Sequence, residues 1–120
     1  DIDFLVHPSE IEAVVSVLAK VGFDEDTGTL VFRNERQEPQ PVRRVVKFSG
    51  HEYLLLDLIH VTPALEEVWA SRHAKPYEGG QVTIVSLDGL KTMKRMASRD
   101  QDLADIKQLE LANEKRVDET

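Results

Sequence analysis

Three aspartates are the residues best placed for chemistry. Asp1 and Asp3 alternate at the head of an apolar run, Asp1-Ile2-Asp3-Phe4-Leu5-Val6, and Asp57 interrupts a longer one, Tyr53 to Val61. Side chains of a strand alternate between its faces, so a strand here places Asp1 and Asp3 on one side. An ionised carboxylate within an apolar strand is costly unless it is paired or binds a metal. Two strands that bring three carboxylates together make an oxygen-rich site suited to Mg²⁺ or Mn²⁺. The structural alternative is a strand end where Asp57 meets solvent, or an ion pair with a basic residue such as Arg43 or Lys47.

The elements that must position these residues follow from the pattern. Ile2 to His7 reads as a strand. Pro8-Ser9-Glu10 opens a helix with Ser9 as a candidate cap. Ile11, Val14, Val15 and Leu18 share one apolar helix face, and Gly22 ends it. Asp24 to Gly28 reads as a turn, Thr29 to Arg33 as a short strand, and Asn34 to Pro41 as a loop. Arg43 to Phe48 and Tyr53 to Val61 are expected to pair as a hairpin about Ser49-Gly50-His51-Glu52. The run from Leu54 to Ile59 predicts a central strand covered on both faces.

Pro63 opens a short helix that carries Leu65, Val68 and Trp69, with Trp69 read as core. Lys75 to Gly80 is a connector, Gln81 to Ser86 a last strand, and Leu87 to Ala97 a helix. After a break at Ser98 to Asp100, Gln101 to Ala112 is a final helix, and 113–120 reads as a frayed tail. The expected class is α/β (α+β), one domain over 1–120 with a mixed sheet flanked by helices. Because the chain opens inside a strand-like run, it reads as N-terminally incomplete.

Of the 120 residues, 41% are apolar and 31% charged, the balance of a globular domain. The net charge of −7 argues against broad binding to duplex nucleic acid or to an anionic membrane. It leaves a nucleotide open, since a divalent ion offsets phosphate charge. There is no cysteine, which excludes disulfides and cysteine zinc sites. No apolar run nears the roughly 20 residues that span a bilayer. A cytoplasmic location is the expectation. His7, His51, His60 and His73 show no metal-ligand spacing, and His60 falls on the strand face opposite Asp57.

A further block runs from Leu87 to Ile106. Asp102 and Asp105 share a helix face, where acids in a first turn suit the positive end of the helix dipole. Lys91, Lys94 and Arg95 then form a solvated face, and Ser98 or Asp100 is the expected cap.

Taken together, Asp1-Ile2-Asp3, Asp57 and the order Lys94, Arg99, Asp102, Leu103, Asp105 resemble the minimal nucleotidyltransferases of the DNA polymerase β superfamily. The likeness is to the small toxin-like bacterial members related to abortive-infection proteins, and it extends from Asp1 to about Leu111. It implies that Asp1, Asp3 and Asp57 hold divalent metal, Mg²⁺ or Mn²⁺, around a nucleoside triphosphate. It implies that Asp57 orients or deprotonates the acceptor hydroxyl, that Lys94 contacts phosphate, and that Arg99 braces the last two helices through Asp102 or Asp105. One departure stands out. The family's Gly-Ser or Gly-Gly turn, about ten residues before the Asp pair, is absent from this sequence, and Gly79-Gly80 precedes a strand and cannot replace it.

Two functions follow as expectations. One is metal-dependent transfer of a nucleoside monophosphate to a hydroxyl acceptor on a protein, an RNA end or a small molecule. The other is a related fold without chemistry that binds a protein partner, as in a toxin–antitoxin pair. Beside these two stands an α/β domain without a nucleotide link, in which Asp57 is held in a salt bridge.

Overall fold

The alternating run at the start of the chain forms β1 (Ile2–Val6). In this computed structural model the described residues are 2–33, 37–97 and 100–118. They adopt a mixed α+β fold. Among the described residues a mixed four-stranded sheet, with β1 at one edge, accompanies a two-stranded sheet and four helices. By their internal contacts the residues fall into two compact units, one ending at Ala64 and one starting at Leu65. Asp1, Ser98 and Arg99, on which several expectations rest, lie outside the described residues.

In the first unit a single 3-10 turn, Pro8–Glu10, leads into α1 (Ile11–Lys20). Among the described residues no side chain, Ser9 included, caps this helix. The tight turn occupies the entry instead, with the Glu10 amide donating to the His7 carbonyl at 2.9 Å. At the other end Gly22 takes φ +106°, open mainly to glycine. The Phe23 amide reaches back to the Leu18 carbonyl and the Gly22 amide to that of Ala19, a Schellman closure. Lys47 lies across Gly22 and donates to the Val21 carbonyl at 3.2 Å, a cation at the negative helix end.

The predicted helix face is the packing face. Ile11 is buried with Val6, Val45, Leu56 and Leu58, and Val14, Val15, Leu18 and Phe23 close over them. Val45 and Leu58 have no exposed surface. Burying a side chain of this size contributes about 1.5–3 kcal/mol.

The sheet strands are longer than the sequence pattern suggests. β2 (Glu25–Arg33) starts inside the segment expected to be a turn. A bulge between Asp26 and Gly28 absorbs the polar residues, and the Asp26 carboxylate accepts the Gly28 amide at 2.9 Å. β3 (Pro39–Ser49) starts inside the expected loop. Pro39 and Pro41 pair only with β2, because the β3–β4 ladder begins at Val42 opposite Ile59. A proline lacks the amide of a central strand but is tolerated where a strand has one neighbour.

β4 (Glu52–His60) forms the expected hairpin with β3, and β1 joins its other edge in parallel. It is central in hydrogen bonding but not covered equally on both faces. Leu56 and Leu58 are buried, whereas Leu55, Asp57 and Ile59 opposite are half-buried and Tyr53 and Leu54 are exposed. An antiparallel hairpin with a wet end explains this better than the enclosed strand that the apolar run suggested.

In the second unit α2 (Glu66–Ala70) buries Val68. Trp69 is half-buried rather than core, with the Arg72 guanidinium 3.4 Å from its ring centre. The expected connector and last strand are one hairpin, β5 (His73–Tyr77) and β6 (Gly80–Ile84). Glu78 and Gly79 both take positive φ, the tight turn that matches strand twist. Helix α3 (Leu87–Ala97) is capped by Ser86, whose hydroxyl accepts the Gly89 amide at 3.0 Å. Helix α4 (Asp100–Asp118) continues past Ala112, where the apolar pattern stops. Among the described residues no helix is long and apolar enough to cross a membrane.

Candidate functional site

Asp3 and Asp57 meet because β1 and β4 pair in parallel with these two residues in register. On the far side of β4, the antiparallel register puts Arg44 of β3 opposite Asp57. Partners in register share a sheet face, so Asp3, Asp57 and Arg44 form a row across three strands. The row continues onto β2 at Gly28, where an added Cβ would meet nothing within 4 Å. Apolar residues border it. Leu5, Ile59 and Val42 make the neighbouring row on one side, and Leu55 and Val46 lie on the other.

The guanidinium grips Asp57 with two bonds. Arg44 Nε donates to Oδ1 at 2.8 Å and Nη2 to Oδ2 at 3.0 Å. The side chains are 29% and 15% exposed, so the pair is screened only in part. The hydrogen bonds to Asp57 raise the Arg44 pKa further; burial opposes this, and the charges of Asp57 and Asp3 add to it. Arg44 and Asp57 are half-buried, and Asp3, beside them in the row, is exposed. The expected ion pair to Asp57 exists, but its partner is Arg44 and not Arg43 or Lys47.

Arg43 points to the helix-covered face. It donates to Glu12 Oε1 of α1 at 2.8 Å and grips both carboxylate oxygens of Asp26 on β2. Those bonds hold the Asp26 carboxyl down at about 2, below its ordinary 3.8. His60 also lies on that face, as its spacing from Asp57 predicted. Its Nε2 is buried without a hydrogen-bond partner among the described residues. Burial first, then the charge of Arg43, lowers the His60 pKa.

Lys94 belongs to the second unit. Its ammonium lies 2.7 Å from Asp105 Oδ2 and 3.9 Å from Oδ1 of the buried Asp102. These ion pairs join α3 to α4, the bracing expected of Arg99. The Lys94 to Asp105 spacing therefore carries a structural contact.

Of the four expected site residues, the structure brings together Asp3 and Asp57. Asp1 lies outside the described residues, and Lys94 is engaged by acids of its own unit. Among the described residues no group of three or more His, Asp or Glu is placed to hold a metal. Two carboxylates still suit Mg²⁺, which commonly takes one or two and completes its shell with water and phosphate. Arg44 is the residue that sequence reasoning passed over. A signal for it existed: with the turn centred on Gly50 and His51, counting back along both strands sets Arg44 opposite Asp57. Comparison of the chain with protein-family models, with curated proteins and with solved structures gives no match.

Proposed function

We propose that this chain binds a divalent cation and a nucleoside triphosphate at Asp3 and Asp57, and acts as a nucleotidyltransferase-like domain. The observation that carries the reading is the register of Asp3 with Asp57 on adjacent parallel strands. Two carboxylates side by side repel unless a cation lies between or beside them. Arg44 supplies one positive charge beside the pair, and a divalent ion would add to it. Mg²⁺ or Mn²⁺ held there would offset phosphate charge and polarise the reacting phosphoryl group. In the transfer, an acceptor hydroxyl oxygen bonds to the α-phosphorus, pyrophosphate leaves, and the hydroxyl proton passes to a base. Asp57 is the candidate base, through whichever oxygen Arg44 releases. The reading rests on Asp3 and Asp57; Lys94, expected as a phosphate contact, is ion-paired with Asp105.

A second reading is a binding module without chemistry that acts through a protein partner. It is favoured by the bidentate hold of Arg44 on Asp57, which satisfies the carboxylate without any metal. Calorimetry with ATP and GTP, in Mg²⁺ or Mn²⁺, separates the two. Metal-dependent binding that drops at least tenfold in Asp57→Ala supports the transferase-like site. Folded protein that binds neither nucleotide under either metal favours the binding module.

A further inference from the structure

β2 ends the four-stranded sheet, and among the described residues no strand lies on its outer side. Eight of its nine residues are exposed, on both faces of the sheet. Three of them are large and apolar in sequence: Leu30 is 39% exposed, Val31 56% and Phe32 51%. An edge of this kind offers unpaired amides and carbonyls to another strand, and proteins usually blunt it with charge or cover it. Here the charges stand at the ends, with Glu25 and Asp26 before the bulge and Arg33 after the apolar stretch.

That arrangement is complementary to itself. Reversed against a second copy about a two-fold axis at Leu30, β2 sets Leu30 against Leu30 and Val31 against Thr29. Phe32 falls opposite Gly28, where an added Cβ would meet nothing within 4 Å. Beyond the bulge, Arg33 comes opposite the Asp26–Thr27 step, so that a cation of each copy faces an acid of the other. Opposed residues share a sheet face in this register: Gly28, Leu30 and Phe32 lie on one, and Asp26, Thr29, Val31 and Arg33 on the other. We infer that the chain pairs with a second copy of itself through antiparallel β2 edges, which joins two four-stranded sheets into one of eight strands. This inference is independent of the nucleotide reading.

A single strand pair is a small interface, so the dimer is expected in the micromolar range. Sedimentation of the full chain up to roughly 100 µM tests it. Wild-type protein should approach twice the monomer mass, and Phe32→Lys should weaken association by at least tenfold while circular dichroism stays unchanged. The register has its own test, because the chain has no cysteine. Leu30→Cys lies on the two-fold axis and should cross-link to its own copy under mild oxidation; Val31→Cys, offset from the axis, should cross-link at least tenfold more slowly. Wild-type protein that stays monomeric overturns the inference and leaves the edge to a strand from a different chain. A dimer indifferent to Phe32→Lys, or Val31→Cys cross-linking faster than Leu30→Cys, overturns it as well.

Discussion

Replacing Arg44 by alanine removes the guanidinium that lies on Asp57 and leaves Asp3 and Asp57 as neighbouring carboxylates. The loss has two parts. A bidentate charged bond of this exposure contributes about 1.5–3 kcal/mol. Repulsion between the remaining carboxylates, screened as at a protein surface, adds a fraction of this. We expect Arg44→Ala to lower stability by about 2 kcal/mol without metal, which for a chain of this length is a fall in Tm of about 8 °C. The same change vacates both Asp57 oxygens for a cation. A metal at ten times its Kd stabilises the folded state by about 1.4 kcal/mol. Mn²⁺ should therefore raise the Tm of Arg44→Ala by about 6 °C, and that of the wild type, where Arg44 competes, by less. Scanning calorimetry of both proteins with and without Mn²⁺ reads this directly, with Asp57→Asn as the variant expected to gain nothing. If Arg44→Ala gains no more from Mn²⁺ than the wild type does, the row is a salt bridge and not a metal site.

Gly89→Ala should destabilise by about 1 kcal/mol, since its methyl would lie 2.8 Å from Val85 Cγ1 and 3.1 Å from Val68 Cγ1, and this outweighs the helix preference for alanine. Denaturant unfolding checks it, and a more stable Gly89→Ala would contradict the close packing described. Acid should act in two windows. The folded His60 binds its proton more weakly than the unfolded one, so stability falls as pH drops below about 6.5, and His60→Phe should flatten that slope. Asp26 is depressed, so its contribution, about 1 kcal/mol after solvent screening, is present above 3.8 and lost as pH falls toward 2. Unfolding curves over this pH range, with Asp26→Asn as control, measure both.

The elements read correctly from sequence are those whose burial is periodic. Ile11, Val14, Val15 and Leu18 marked α1 because one face of that helix packs on the sheet. β5 was missed because His73 to Tyr77 is exposed throughout and carries no alternation. It exists through its turn and its pairing with β6. The starts of β2 and β3 were missed for a related reason, since a bulge and two prolines look like loop when only local propensity is weighed. At the site, Asp57 was legible because an acid in an apolar run needs a partner. Which partner depended on hairpin register, a relation between strands that no single segment encodes.

The parallel ladder between β1 and β4 has a bearing on how the site comes into being. β2, β3 and β4 are joined as successive antiparallel neighbours and can zip locally. β1 must close a loop that contains α1, β2 and β3 before its ladder with β4 forms. Loop closure of that span carries an entropic cost that local hairpins avoid, so docking of β1 is expected to be the slow, late event. Asp3 arrives beside Asp57 only at that step. Among the described residues β1 is also an edge strand, and edge strands detach at lower free energy than central ones. The carboxylate pair can thus be dismantled while the β2–β4 meander stays folded, and any ligand that bridges Asp3 and Asp57 acts as a latch on the N-terminal strand.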